Sequence, residues 1–290
     1  MSGPRAFERP AFIAEFRDYA ALRGQRIGLT GQRGVLGGIL SERCAAQGIA
    51  CESYAGDVND AAALADWFAG RSFSRFYHFA ALVPVTQVEA DPLLAYQTNV
   101  IGTYNVCRQL LLTQRDCWLF HCSSSHVYQP TTAPVPISEH GPLAPQSFYG
   151  TTKLAAEDVV RTLLTRLRVP HCIGRVFSFT HARQAPPYLV PNLRQRISAL
   201  PAGAALQVDN PSAVRDIQDA EFVIDAILQL TRRGACGTVN IGTGAGRSVR
   251  EIALAVAQEL GRQIEVTGTD REPAGSLIAD TTRLRGLLAA

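Results

Sequence analysis

The chain has 290 residues, of which 47% are hydrophobic and 18% charged, and its formal net charge is +3. A chain of this size and hydrophobicity can bury a large core, which excludes disorder, and its small, scattered charge excludes a nucleic-acid groove. No apolar run approaches the roughly 20 residues of a membrane span, and the charge-interrupted first 20 residues lack the apolar centre of a signal peptide.

Strand and helix patterns alternate through the first part of the chain. An N-terminal extension, residues 1–24, contains a short amphipathic helix around 11–22. Strands are predicted over 26–31, 48–54, 73–81, 117–125 and 169–177. Helices are predicted over 35–47, 59–70, 91–112 and 147–168. This alternation predicts an α/β fold with a doubly wound parallel sheet of the Rossmann type. Beyond about residue 178 the alternation loosens and prolines become frequent, which predicts a smaller C-terminal lobe interleaved with the sheet.

A glycine-rich turn, Thr30-Gly-x-x-Gly-x-x-Gly37, joins the first strand to the first helix. Small residues let the backbone approach a pyrophosphate, and the following helix N-terminus offers free N–H groups and a positive dipole end. A tight turn without a ligand is the alternative, but the strand–turn–helix context predicts a dinucleotide site. Its cofactor-binding residues would be Gly31, Arg33, Gly34, Val35, Leu36 and Gly37. The predicted domains are therefore a dinucleotide-binding domain over 25–178 and a substrate-binding lobe over 179–290.

The second strand leaves the choice between NAD and NADP open. An acidic residue at its end would bind the ribose 2′-hydroxyl of NAD, and Glu52 has that chemistry but lies one or two positions early. Arg33 could instead meet a 2′-phosphate, or be a solvated loop charge. We therefore favour NADP(H) over NAD(H). Asp57 either contacts the adenine or caps the next helix, and the adjoining Val58 would also be a cofactor-binding residue.

The 28 basic residues include a single lysine, Lys153, which lies four residues after Tyr149. Residues four apart on a helix share a face. A nearby cation favours phenolate, so it would move the phenol pKa from about 10 towards neutrality and make Tyr149 a general acid or base. The sequence therefore predicts that Tyr149 and Lys153 form a catalytic pair.

Five segments occur in a characteristic order: the glycine turn, His78-Phe79-Ala80-Ala81, Asn99 to Asn105, Ser123 to Tyr128, and Tyr149-x-x-x-Lys153. Together they resemble the extended short-chain dehydrogenases/reductases, and within them the NAD-dependent epimerase/dehydratase family that acts on nucleotide sugars. The resemblance covers about residues 25–285. It implies that a nicotinamide cofactor also contacts Phe79, Ala80, Ala81 and Asn99, as well as Tyr149 and Lys153.

The same resemblance implies roles for individual residues. Tyr149 would be the catalytic acid/base, and Lys153 would bind the nicotinamide ribose and lower the tyrosine pKa. Ser124 would hydrogen-bond the reacting oxygen. Arg215 would hold the substrate diphosphate, which suits a bidentate guanidinium. Arg271 would be its partner, or else part of a surface salt bridge.

Two departures from the family pattern bear on the substrate and the reaction. Ser178 stands where the family usually has an asparagine near the substrate, so the sugar cannot be assigned by analogy. Ser125-His126 stands where dehydratases have an Asp-Glu pair, which disfavours dehydration. The shortened region between the second strand and His78, with the glycine segment 31–37 before it, resembles that of the 4-keto-sugar reductases, including the GDP-fucose synthase type. In that type the position of His126 holds an additional acid/base residue, and an imidazole suits proton transfer near pH 7. The alternative is that His126 contacts only residues of the site and not the substrate, or that it faces solvent. His78 and His121 are predicted to be packed inside the fold.

The predicted function is transfer of a hydride between NAD(P) and a nucleotide-diphosphate sugar, with reduction of a 4-keto sugar favoured. A 4-epimerase and a non-catalytic NAD(P)-binding regulator are the alternatives. The seven cysteines and six histidines show no metal-ligand spacing, so we expect no metal and a reduced, cytoplasmic setting. The helices 91–112 and 147–168 carry apolar residues beyond one stripe, which is more often typical of core than of an interface. The resemblance implies a homodimer, because related proteins often dimerise through these two helices. We expect neither a nucleic-acid nor a membrane partner.

Overall fold

A six-stranded parallel sheet lies at the centre of the computed structural model, which describes residues 7, 9–201, 203–270 and 275–289. In spatial order the strands are β2 (Cys51–Tyr54), β1 (Ile27–Thr30), β3 (Arg75–His78), β4 (Trp118–Ser124), β5 (His171–Val176) and β9 (Gly237–Ile241). Strands β1 and β5 are buried along their whole length, as expected of a parallel sheet covered on both faces. The predicted α/β fold with a doubly wound sheet is confirmed.

Helices cover both faces of this sheet. One face carries α1 (Val35–Ala46), α8 (Ala220–Arg232) and α10 (Thr282–Ala289), and the other carries α2 (Ala61–Phe68), α5 (Gly102–Thr113) and α6 (Phe148–Val160). The strand order changes direction between β1 and β3, which is where ligands bind in open α/β sheets. None of the helices in the described parts of the chain combines the length and the apolar character that crossing a lipid bilayer requires.

The two long predicted helices form, but each contains a π-helical stretch. The first runs from α4 (Pro92–Tyr96) through a π turn over Gln97–Ile101 into α5, and Asp91 caps it by accepting the Leu94 N–H at 2.9 Å. Helix α6 likewise continues into a π turn over Arg161–Thr165. A further short helix, α3 (Val85–Ala90), follows β3 where none was predicted.

The C-terminal part of the chain adds smaller sheets beside the main one. Their strands and helices are β6 (Ser178–Thr180), α7 (Leu189–Ala199), β7 (Leu206–Gln207), β8 (Val214–Asp219), β10 (Gly246–Ser248), α9 (Val249–Glu259), β11 (Val266–Thr267) and β12 (Ser276–Leu277). Helices α7 and α9 pack together over a separate apolar cluster. Since β9 returns to the main sheet, the two parts are interleaved, and the domain boundary at residue 178 remains a prediction.

The predicted helix around 11–22 is wrong, since only Tyr19–Leu22 forms a 3-10 turn. Long-range contacts decide the conformation instead. The buried carboxylate of Asp225 accepts the Phe16 N–H at 3.0 Å and pairs with Arg9 and Arg43, each at 2.6 Å. Ile13 and Phe16 are buried in the core that covers α1 and α8. These contacts replace the local hydrogen bonds that a helix would have made.

Candidate functional site

A cavity of about 790 Å³ lies at the carboxyl edge of the main sheet. Its walls include residues that directly follow β1, β2 and β3, the end of β4, and Arg215 and Ile217 from β8. It therefore occupies the crevice that the change in strand order creates.

Most of the predicted site residues line this one cavity. They are Gly31, Arg33, Gly34, Val35, Leu36, Gly37, Asp57, Val58, Phe79, Ala80, Ala81, Ser124, His126, Tyr149, Ser178 and Arg215. Asn99 and Lys153 are buried and do not line it. Arg271 lies outside the described residues.

The glycine turn forms a cradle at one end of the cavity. Gly31 has a positive φ of +81°, and a Cβ there would lie 2.6 Å from the Ala80 nitrogen. A Cβ at Gly37 would lie 2.3 Å from the Gly31 carbonyl oxygen. Gly34 caps α1 without a side-chain hydrogen bond, which leaves the first N–H groups of the helix open to the cavity. This arrangement fits a pyrophosphate.

Asn99 lies behind the cavity wall, in the π turn that precedes α5. Its amide Nδ2 donates to the Leu82 carbonyl oxygen at 3.0 Å and to Thr152 Oγ1 at 2.9 Å. Its Oδ1 accepts the Leu82 N–H at 2.7 Å. Asn99 therefore ties the loop after β3 to α6, and the contact with a cofactor remains a prediction.

Ser124, His126 and Tyr149 meet on one wall of the cavity. Ser124 Oγ accepts the His126 N–H at 3.2 Å, and the His126 and Tyr149 rings are 5.5 Å apart at 70°. The close approach depends on Gly150, where a Cβ would lie 2.2 Å from the His126 carbonyl oxygen. The helix that carries Tyr149 can therefore pack directly against the end of β4.

The expected lowering of the Tyr149 pKa is wrong for this structure. Burial raises the pKa of the phenol above its usual value, the neighbouring Cys122 and Tyr188 raise it further, and a hydrogen bond from Ser124 only lowers it in part. The physical reason is desolvation, which penalises a buried phenolate. Tyr149 is therefore held protonated at neutral pH.

Lys153 lies one helical turn after Tyr149 and is only 3% exposed. Its ammonium makes no hydrogen bond or ion pair with any residue that the structure describes. Burial lowers the pKa of this lysine, whereas Cys122 and Glu157 raise it.

The histidines near the site differ in their surroundings. His78 lies 2.7 Å from Thr30 Oγ1 and 3.0 Å from Thr103 Oγ1, and burial lowers its pKa to about 3. It is a packed histidine, as predicted, and His121 beside it is also fully buried. His126 faces the cavity rather than open solvent, and burial and the Arg215 cation lower its pKa to about 4.

Two arginines on the cavity wall have no carboxylate partner among the described residues. Arg215 donates from Nη1 to the carbonyl oxygens of Val214, at 2.8 Å, and Gly275, at 3.0 Å, and burial lowers its pKa. Arg33 is exposed at the glycine turn. Glu52, in contrast, pairs with Arg71 at 2.8 Å and does not line the cavity.

Sequence reasoning missed part of the cavity wall. Tyr188, at the start of α7, and Val85 and Thr86, in α3, line it. Tyr188 follows two prolines and belongs to no recognisable motif, so no local signal could have placed it at the site. No cluster of three or more His, Cys, Asp or Glu side chains that could hold a metal ion occurs within the described ranges.

Comparisons with known proteins agree with this architecture. The family model described as GDP-mannose 4,6 dehydratase matches residues 41–284. A UDP-glucose 4-epimerase of Halalkalibacterium halodurans is 28% identical over 258 residues, which cover 81% of this chain and 76% of the relative. UDP-glucose 4-epimerase 2 of Oryza sativa subsp. japonica is 29% identical over 77% of this chain, but the match spans only 59% of the relative's length.

Solved structures share the fold. RMD from Pseudomonas aeruginosa, complexed with NADPH, matches with a TM-score of 0.81 and 23% identity, over 91% of this chain and 92% of that chain. A Thermus thermophilus UDP-glucose 4-epimerase complex with NAD matches with a TM-score of 0.77 and 22% identity, over 90% and 92%. Because the family model covers most of the sequence, the chain belongs to the GDP-mannose 4,6 dehydratase family of extended short-chain dehydrogenases/reductases.

Proposed function

We propose that the chain is an NAD(P)-dependent oxidoreductase that acts on a nucleotide-diphosphate sugar, with reduction of a 4-keto sugar as the favoured reaction. The observation that carries the proposal is the position of Ser124, His126 and Tyr149 on a wall of the cavity that also contains the glycine cradle. The relatives named as UDP-glucose 4-epimerases and the NADPH complex of RMD support the substrate class and the cofactor class.

The cradle fits a dinucleotide, since Gly31 and Gly37 leave no room for a Cβ and the α1 N-terminus is open. Gly31 and residues 34–37 would hold the pyrophosphate, and Asp57 and Val58 would contact the adenine. Phe79, Ala80 and Ala81 would lie under the nucleotide, and Lys153 would bind the nicotinamide ribose. When bound, the nicotinamide supplies a hydride to the carbonyl carbon.

NADP(H) is the preferred cofactor in this proposal. Arg33 is a cation without a carboxylate partner among the described residues, Glu52 is engaged with Arg71, and Ala55 directly follows β2. Arg33→Ala should raise the NADPH dissociation constant about tenfold or more, the value of a charge-assisted hydrogen bond, and leave that of NADH unchanged. Titration by nucleotide fluorescence measures both, and an equal effect on the two would refute the preference.

The proton chemistry follows from the two hydroxyls. Reduction of a ketone needs a proton donor, and burial keeps Tyr149 protonated at neutral pH. Tyr149 gives its hydroxyl proton to the carbonyl oxygen as the alcohol forms, and Ser124 polarises that oxygen by a hydrogen bond. His126 is neutral at pH 7 but a weak base, because its pKa is about 4; epimerisation before reduction would need it to take a proton from the carbon next to the ketone and a second group to return a proton to the opposite face. Arg215 holds the substrate diphosphate.

The test is a panel of UDP-, dTDP- and GDP-linked sugars offered with NADPH or NADH. A reductase consumes one reduced nicotinamide for each 4-keto sugar converted. The names of the relatives favour a second candidate, a 4-epimerase, which would invert C4 without net consumption of the cofactor. If the wild type and Tyr149→Phe are equally without turnover on every member of the panel, the chain is a non-catalytic NAD(P)-binding protein and the proposal fails. Turnover that Tyr149→Phe leaves unchanged would refute the role of Tyr149.

The proposal includes a homodimer. Large apolar side chains are exposed along the long helix that starts at Pro92: Leu93, Leu94, Tyr96, Ile101 and Tyr104. Exposed apolar patches of this kind mark interaction surfaces. Multi-angle light scattering should give twice the chain mass of 31.3 kDa, and a monomer at working concentration would refute this part.

A further inference from the structure

Helix α6 and the turn that continues it carry four ionisable side chains at four-residue spacing: Tyr149, Lys153, Glu157 and Arg161. Residues at this spacing share one helix face, so they form a row that starts at the cavity wall. Glu157 and Arg161 have no assigned role, and of these two Glu157 is the one that is completely buried. A buried carboxylate is costly unless its partners are well arranged, so its surroundings need an explanation.

The Glu157 carboxylate connects α6 to two strands of the main sheet. Its Oε1 accepts the Ser123 hydroxyl at 2.5 Å and Arg175 Nε at 2.9 Å, and its Oε2 accepts Arg175 Nη2 at 2.7 Å. Arg161 also donates to Oε2 from the solvent side. Since Ser123 directly precedes Ser124, the same carboxylate fixes the end of β4 at the cavity.

Few ionisable groups surround Lys153, and most of them are neutral. On β4, burial raises the pKa of the Cys122 thiol to about 11, and burial lowers the pKa of His121 well below its usual value. His78 on β3 is neutral because its pKa is about 3, and Tyr149 on α6 is held protonated. Among the residues that the structure describes, Glu157 is therefore the one anion that favours the charged form of Lys153 at neutral pH.

We propose that Glu157 is a positioning residue of this site: its buried carboxylate sustains the ammonium of Lys153 by its charge and, through Ser123, holds the strand end that carries Ser124. This inference deepens the proposed function and rests on it for the role of Lys153. Arg161 and Arg175 hold the carboxylate in place by their hydrogen bonds, so its position next to α6 and β4 is fixed.

The single lysine makes a direct test possible. Full-length protein labelled with ¹³C at the lysine Cε carbon has one side-chain NMR signal, and its pH titration follows Lys153 alone. In Glu157→Gln the titration midpoint should fall by about one pH unit, because a nearby opposite charge is lost. The control is Asp158→Asn, which removes an acid that also pairs with Arg161, at 2.6 Å, but whose side chain is 67% exposed. Its midpoint should not change.

An unchanged midpoint in Glu157→Gln overturns the proposal. If that variant does not fold, Arg161→Met decides, since this partly exposed arginine can be removed without removing the carboxylate. It should raise the midpoint, and no rise overturns the proposal. Glu157→Asp, which keeps the charge, should restore most of the wild-type midpoint, and failure to do so also counts against it.

NADPH binding separates this inference from the proposed function. As the pH rises, NADPH affinity should be lost when Lys153 loses its proton. In Glu157→Gln this loss should occur at a lower pH than in the wild type, by the same shift as the midpoint of the Lys153 NMR signal. A shifted NMR midpoint with an unshifted binding profile would refute the role of Lys153 in cofactor binding, while the coupling between Glu157 and Lys153 would stand.

Discussion

Gly150→Ala tests whether the packing of α6 against the end of β4 sets the catalytic geometry. Gly150 follows Tyr149 within α6. A methyl group at this position would lie 2.2 Å from the His126 carbonyl oxygen, 3.0 Å from the His126 carbonyl carbon and 2.8 Å from Pro145 Cβ. Two of these three atoms are backbone, so they cannot rotate away as the end of a flexible side chain would.

Gly150→Ala should cost a moderate part of the folding stability and most of the activity. A normal carbon–oxygen contact is about 3.4 Å, so the helix and the strand end must separate by roughly 1 Å. Overpacking of this kind costs about 1–3 kcal/mol, and the better helix propensity of alanine returns up to about 1 kcal/mol. A displacement of about 1 Å between Tyr149 and Ser124 should lower kcat about 100-fold.

The assay is kcat and the thermal midpoint, measured side by side on the substrate that the nucleotide-sugar panel identifies. Gly286→Ala is the matched control, because Gly286 also lies within a helix, α10, and a Cβ there would meet nothing within 4 Å. It should gain about 0.5–1 kcal/mol and keep full activity. If Gly150→Ala keeps kcat within about threefold of the wild type while folded, the argument from packing is refuted.

Three further predictions concern charge. Arg215→Met should raise KM for the nucleotide sugar about tenfold or more without changing the NADPH dissociation constant, and parallel losses of both would contradict its assignment to the substrate. Asp225→Asn should lower the free energy of unfolding by about 2–3 kcal/mol. This is less than the loss of a fully buried ion pair, because the two arginines that pair with Asp225 are partly exposed. An unchanged urea midpoint would refute this prediction. His78 is neutral in the folded protein, where its pKa is about 3 against 6.5 in the unfolded chain. Between these two values the unfolded state binds more protons than the folded state. The His78 contribution to stability should therefore be full above about pH 6.5 and be lost as the pH drops towards 3. Urea midpoints across this range test the fall, and His78→Asn should make it shallower.

The alternation of strand and helix patterns was enough to predict five of the six strands of the main sheet, but not β9. The helix predicted over 35–47 is Val35–Ala46, and the strand predicted over 169–177 is His171–Val176. Helix α3 was not predicted, because Pro84 at its N-cap has no side chain that could cap the helix. Without a capping residue, the sequence does not distinguish this helix from a loop. The extension around residues 11–22 was mistaken for a helix because its apolar spacing is local, whereas Asp225, which fixes it, lies about 200 residues further along the chain.

The candidate site was predictable where chemistry follows a local motif. The glycine turn and the Tyr149–Lys153 spacing are such motifs, and they led to the cavity. The direction of the Tyr149 pKa was not predictable, because it depends on how deeply the phenol is buried rather than on which residue lies four positions away. Tyr188 was not predictable either, since only the packing of the C-terminal lobe brings α7 to the cavity wall.

The position of β9 at the edge of the main sheet has a consequence for synthesis on the ribosome. The first five strands emerge by residue 176, but the sixth emerges only by residue 241, after β6, α7, β7, β8 and α8. Until then one long side of β5 lacks its neighbour, and an unpaired strand edge invites association with other chains. The nascent chain therefore passes through an aggregation-prone interval that ends when Cys172 to Val176 are joined by their last partner.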